Sequence, residues 1–116
     1  MKLKFLADAD LNALIVDGVI RRRPAIDFRR HPDIDLEGKS DLQVLQLAAD
    51  MDRLLVSHDF RTMPAAFGEF ISEHTSPGVL LVPQHLAIGE AIDDLLLFWE
   101  LENAADWISR IGFLPI

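Results

Sequence analysis

Asp8 and Asp59 each stand just after a short apolar run, Leu3 to Ala7 and Leu54 to Ser57, and Asp41 falls in the first turn of a helix pattern opening at Ser40. If the two runs are parallel neighbours in a sheet, their carboxylates meet at one edge and Asp41 joins them from the same side. Crowded anions raise one another's pKa, and a divalent cation removes that cost by neutralising them. Oxygen-only donors in a chain without Cys favour Mg²⁺ or Mn²⁺ over zinc. Such an ion acidifies a bound water and offsets the charge that builds on a phosphorus centre under attack, so a pocket of this kind suits phosphodiester hydrolysis. Asp at a strand-to-helix junction is also a preferred helix cap. The functional reading therefore depends on three acids meeting at once.

Neighbouring residues extend the pattern. Asp10 reads first as the cap of a helix starting at Leu11, and second as a fourth carboxylate around the ion. Asn12 could orient a water or phosphate, or sit in a first helical turn. His58 alternates with Asp59 along the chain and so points to the other face, where burial or support of the site suits it better than general-base duty. His31, His74 and His85 show no metal-ligand spacing and receive no role. Arg21, Arg22, Arg23, Arg29 and Arg30 place five guanidinium groups within ten residues. Such a stripe is commonly a solvated face, yet Arg is also the better fork for phosphate oxygens, which makes Arg22, Arg23, Arg29 and Arg30, with Asn12, the candidates for holding a substrate backbone.

The elements that must position these groups can be read from periodicity. After the strand Leu3 to Ala7, the spacing of Leu11, Leu14, Ile15 and Val19 predicts a helix that Pro24 stops, and Ala25 to Phe28 predicts a second strand. A loop follows from Arg29 to Gly38. Ser40 with Gln43 forms a capping-box pattern ahead of Val44, Leu47, Ala48 and Met51 at helical spacing. Leu54 to Ser57 reads as a strand, Thr62-Met63-Pro64 as a helix start, Pro77-Gly78 as a turn and Val79 to Val82 as a buried strand. A long helix from about Ile88 to Ile108 and a terminal strand or packed tail from Phe113 to Ile116 complete the chain. Strands alternating with helices imply right-handed crossovers, a mainly parallel sheet of four to five strands and helices on both faces: an α/β three-layer sandwich. In such folds ligands bind beyond the carboxyl ends of the strands, where strand order reverses.

Composition agrees with one domain over residues 1–116: half the residues are apolar, 26% are charged and none is Cys. No apolar stretch reaches the ~18 residues of a membrane span, and the first residues lack a signal-peptide core, so the expectation is a cytoplasmic protein without membrane attachment. The net charge of −8 argues against a generic polyanion binder. Its distribution is uneven. Residues 1–62 carry ten basic and eleven acidic side chains, and residues 63–116 carry one basic and eight acidic. Glu90 with Asp94 and Glu102 with Asp106 fall at like-charged i,i+4 spacing, which a basic partner would relieve.

Three strings, Leu6-Ala7-Asp8-Ala9-Asp10-Leu11-Asn12, Gly38-Lys39-Ser40-Asp41 and Leu55-Val56-Ser57-His58-Asp59 with Thr62-Met63-Pro64, resemble the small bacterial PIN-like proteins known as a domain of unknown function. The resemblance continues through Pro77 to Gln84, Ile88-Gly89, Ala91-Ile92, Leu95-Leu96 and Phe113-Leu114-Pro115, and so covers nearly the whole chain. It implies a PIN-like fold, an acidic pocket built on Asp8, Asp41 and Asp59, dependence on Mg²⁺ or Mn²⁺, and kinship with the ribonuclease toxins of toxin–antitoxin pairs. The partners it implies are single-stranded RNA and a small antitoxin protein; a homodimer is a further expectation. One position departs from the pattern. The family commonly reads Asp-Glu-Asn where this chain has Asp8-Ala9-Asp10, so the acid stands one residue later and Asp10 is the residue able to compensate. The same departure motivates a second reading, a non-catalytic PIN-like module that holds a basic partner through its acidic C-terminal half. A phosphoacceptor receiver domain would also use an acidic pocket on such a sheet, but it needs a lysine after a late strand, and the last lysine here is Lys39.

Overall fold

A computed structural model describes residues 1–30 and 36–116. The part of the expected 29–38 loop that spans residues 31–35, His31 included, lies outside them. The described elements run β1 (Phe5–Ala7), α1 (Ala13–Arg22), β2 (Phe28–Arg29), α2 (Asp41–Asp50), β3 (Leu54–Ser57), α3 (Met63–Ile71), β4 (Val79–Leu81), α4 (Ile88–Leu101) and β5 (Ile111–Phe113), with a 3₁₀ turn at Ala104–Trp107 before the last strand. All five strands are parallel, in the order β2-β1-β3-β4-β5. Helices cover both faces, so the predicted α/β sandwich is the observed one. None of the described helices is long and apolar enough to cross a membrane.

Burial explains the sheet. β1, β3 and β4 are buried at every position, as a strand with a helical layer on each side must be. One face packs Ile15, Val16 and Val19 of α1 and Ala91, Leu95 and Phe98 of α4 against Phe5, Leu54, Val56 and Leu80. The other packs Val44, Leu45 and Ala48 of α2 and Met63, Phe67 and Phe70 of α3 against Leu6, Leu55, Val79 and Leu81. Helices α1 and α4 approach closely at Gly18, where a Cβ would lie 2.3 Å from Ile92 Cδ1.

Local chemistry sets the helix ends. Ser40 Oγ accepts the Gln43 N–H and Gln43 Oε1 accepts the Ser40 N–H, the reciprocal capping box that the sequence predicts. Ser40→Ala removes half of it and is expected to lower stability by about 1 kcal/mol, read as a shifted urea midpoint at unchanged slope.

Three expectations are corrected. Helix α1 is capped by Asn12, not Asp10: the Leu11 N–H turns back to the Asp8 carbonyl at 3.0 Å, which spends residues 8–11 on a turn, and Asn12 Oδ1 then accepts the Leu14 N–H. The second strand is Phe28–Arg29 instead of Ala25 to Phe28, because residues 24–26 complete the bend after Pro24, with the Ile26 N–H bonded to the Arg23 carbonyl. The last helix ends at Leu101, seven residues before Ile108. Glu102 is extended and accepts the Trp107 indole N–H, and Asn103 Oδ1 accepts the Ala105 N–H. The chain restarts there as a 3₁₀ turn that delivers Trp107 edge-on against Phe98, a better burial for an indole than one more helical turn would give.

Candidate active site

The reversal of strand order falls at β1 and β3. From β1 the chain steps outward to β2, then crosses back over β1 to β3, and the carboxyl ends of the two strands flank the resulting crevice. Asp8 and Asp59 follow those two ends, and Asp41 opens α2, which enters from the same edge. The fold thus puts Asp8, Asp41 and Asp59 at one edge of the sheet.

Two hydroxyls tie it together. Ser57 Oγ, fully buried at the end of β3, donates to Asp8 Oδ2 at 2.8 Å and accepts the Asp59 N–H at 3.0 Å. Thr62 Oγ1 lies 2.6 Å from Asp41 Oδ2 and 2.5 Å from Asp59 Oδ2. A single hydroxyl proton serves two carboxylates there, so one of these short contacts lacks a hydrogen of its own, an arrangement that a cation between them relieves. Asp59 Oδ1 accepts the Arg61 and Thr62 N–H groups and so fixes the turn into α3. His58 Nδ1 bonds to the Val82 carbonyl and its Nε2 accepts the Asn12 N–H at 3.2 Å. Both ring nitrogens are occupied, and the imidazole braces the β1–α1 turn against β4; it lines the same cleft as Asp59 and not, as expected, the opposite face.

Electrostatics separate the acids. Burial pushes the Asp8 carboxyl above the usual carboxylate range, the charges of Asp10 and Asp41 push the same way, and the Ser57 and Ala9 hydrogen bonds offset them only in part. Burial also raises Asp59, but the side-chain and backbone hydrogen bonds of Thr62, with those of Arg61 and Met63, outweigh it and hold Asp59 below that range. Paired acids whose environments drive them apart are a recurring property of catalytic sites. The sign of the stability effect follows. An acid with a raised native pKa binds its proton more tightly folded than unfolded, so its ionisation destabilises the native state as pH rises from about 4 through the native value. Asp8→Asn lacks this loss. It is expected to match or exceed the wild-type melting temperature at neutral pH, with the advantage disappearing below about pH 4, where both proteins are uncharged at this position.

Among the described residues no three His, Asp or Glu side chains stand close enough to form a ready-made metal cage. The donor set consists of the Asp41 and Asp59 carboxylates joined through Thr62, with the Asp8 carboxylate held to the Asp59 backbone through Ser57. Mg²⁺ is ordinarily held by one or two carboxylates with waters and substrate phosphate completing the shell, so the residues fit that mode and not an all-protein cage. Asp10, freed from capping, is exposed and lines an open cleft of about 690 Å³ together with His58, Asp59 and Thr62.

No family model, curated protein or solved structure matches this chain. A doubly wound strand order is compatible with many chemistries.

The arginine stripe is dispersed in the fold. Arg22 pairs with Asp93 at 2.6 Å, Arg23 with Glu100 at 3.5 Å while lying over the Trp99 ring, and Arg30 with Asp17. Arg22 and Arg23 end a ten-residue helix that leads away from the acids, roughly 15 Å along its axis. Arg29 lies on edge strand β2. Asn12 Oδ1 is used as the cap. The cation that does line the acidic cleft is Arg61, exposed and without an ion pair among the described residues. Sequence reasoning passed over Ser57, Thr62 and Arg61. Their only signal was position, within five residues of Asp59 at a strand end.

Proposed function

We propose that the chain is a metal-dependent nuclease that hydrolyses phosphodiester bonds in single-stranded RNA, with Asp8, Asp41 and Asp59 holding Mg²⁺ or Mn²⁺ and Asp10 supporting them from the rim. One observation carries this reading: at the crevice where strand order reverses, Thr62 joins the Asp41 and Asp59 carboxylates, and Ser57 ties the Asp8 carboxylate to the Asp59 backbone. When bound, the cation would neutralise these acids and supply an acidified water together with charge stabilisation at phosphorus. The chain's own residues do the positioning. Ser57 orients Asp8 and Asp59 at once, Thr62 holds Asp41 to Asp59, and Asp59 fixes the turn that carries Thr62. Ala9 stands where the PIN-like pattern has Glu and contributes only its N–H, to Asp8 Oδ1 at 2.9 Å. The missing acid is supplied one residue later by Asp10, whose charge is felt at Asp8.

The alternative of a partner-holding acidic half gains no support from α4. Asp93 and Glu100 are paired with Arg22 and Arg23, Asp94 accepts the Ile116 N–H, and Glu102 accepts the Trp107 indole N–H. These acids are used within the chain. A direct assay decides the matter: purified protein incubated with end-labelled single-stranded RNA should yield shorter products in Mn²⁺ and none in EDTA. Intact RNA under both conditions would remove the proposal.

A further inference from the structure

The sheet edge that bears the acids also exposes two aromatic rings. Phe60 follows Asp59 directly and lines the cleft, with 43% of its surface open to solvent. Its backbone is held, because the Phe60 N–H bonds to the His58 carbonyl and the next two N–H groups bond to Asp59. The ring is thus fixed outside the core by the same turn that sets the acids. Phe113, 55% exposed, ends β5 opposite Leu81 of β4, and its ring centroid lies 5.8 Å from that of Phe60 at a tilt of 32°. Leaving two rings in water at a well-ordered edge is unfavourable unless something covers them.

The rest of the cleft is polar. Pro83, Gln84 and His85, which follow β4, line it together with Arg61, whose guanidinium has no ion pair among the described residues. An aromatic face, an amide able to donate and accept, and an exposed cation beside the proposed cleavage centre match the parts of a nucleotide: base face, base edge and phosphate. The cleft volume of about 690 Å³ is that of an organic ligand site, far larger than a hydrated ion requires.

We propose that Phe60 is a stacking platform for an unpaired nucleobase adjoining the scissile phosphate, with Gln84 at the base edge and Arg61 on the flanking phosphate. The choice of ligand rests on the nuclease reading. A stacking platform selects single strands, since a base inside a duplex has no free face to offer. It tolerates many sequences, because every base has a π-face.

The test compares anisotropy of labelled oligo(U) with that of an equally long abasic ribose-phosphate oligomer, in Ca²⁺ to limit cleavage, for wild type, Phe60→Leu and Phe60→Trp. The expected result is that wild type prefers oligo(U) by about tenfold, Phe60→Leu loses that preference and Phe60→Trp keeps it. A merely structural Phe60, packing on Phe113, would be served by Leu. Equal affinity for the two oligomers in wild type, or an unchanged preference in Phe60→Leu, overturns the platform. Cleavage of both oligomers alike in Mn²⁺ overturns the platform and leaves the nuclease standing. Base-dependent binding lost in Phe60→Leu, with no cleavage in Mn²⁺, supports the platform and counts against the nuclease.

Discussion

Asp8→Asn is expected to cut Mn²⁺-dependent RNA cleavage by about 10²–10³-fold while the protein stays folded, because several kcal/mol of charge stabilisation at the reacting centre disappears with one carboxylate. The replacement is isosteric. Its amide oxygen can still accept the Ala9 N–H, and its NH₂ group faces Ser57 Oγ, which is able to accept. What is lost is charge, at a position where burial makes charge costly to the fold. Activity lost with stability kept or gained would mark Asp8 as a functional and not a structural acid. Asp59→Asn should reduce cleavage similarly but should not gain stability, since its ionised form is favoured by the Thr62, Arg61 and Met63 hydrogen bonds. Single-turnover cleavage and thermal melts on the same preparations check both halves of this expectation. Full activity in both variants would remove the acids from the mechanism.

Gly78→Ala is expected to destabilise the protein by about 3 kcal/mol or more. Gly78 sits at φ +114°, a backbone region that a side chain enters only under strain. A Cβ there would also lie 2.6 Å from the Trp107 carbonyl oxygen and 3.3 Å from that of Arg110, both backbone atoms that cannot rotate aside. The same residue starts a sheet ladder, its carbonyl accepting the Leu55 N–H and its own N–H bonding to the buried Ser76 hydroxyl. Relief of the clash would push β4 away from the 3₁₀ turn that places Trp107. Chemical denaturation should show the loss as a lower midpoint, accompanied by exposure of Trp107 in its fluorescence. A loss under about 1 kcal/mol would mean that the turn relaxes without strain.

The pattern of what could be read in advance has a physical basis. Local rules held: the Ser40–Gln43 box and the strand Leu54–Ser57 depend on interactions within a few residues. The placement of Asp8 and Asp59 at one sheet edge was also legible, because alternating strands and helices dictate parallel order and parallel order puts strand ends on one edge. Choices between equals were not legible. Asp10 and Asn12 are both good caps, and the turn at residues 8–11 decided between them. Helix α4 carries no Gly or Pro at its end, so its stop at Leu101 depends on where Trp107 finds its core site and on the Glu102 carboxylate that receives its indole N–H. Thr62 reads as a cap in sequence but makes no side-chain cap bond; its hydroxyl goes instead to Asp41, 21 residues away. The arginines, clustered in sequence, are divided between the end of α1 and the edge strand β2, and Arg22 and Arg23 are taken up by the acids of α4.

Calorimetric titration of Mn²⁺ into the apo protein bears most directly on whether the three carboxylates share a cation. Wild type should bind with millimolar or tighter affinity, and both Asp8→Asn and Asp59→Asn should lose that heat while remaining folded. Absence of binding to wild type, or undiminished binding in the folded double variant, would contradict the metal-dependent site.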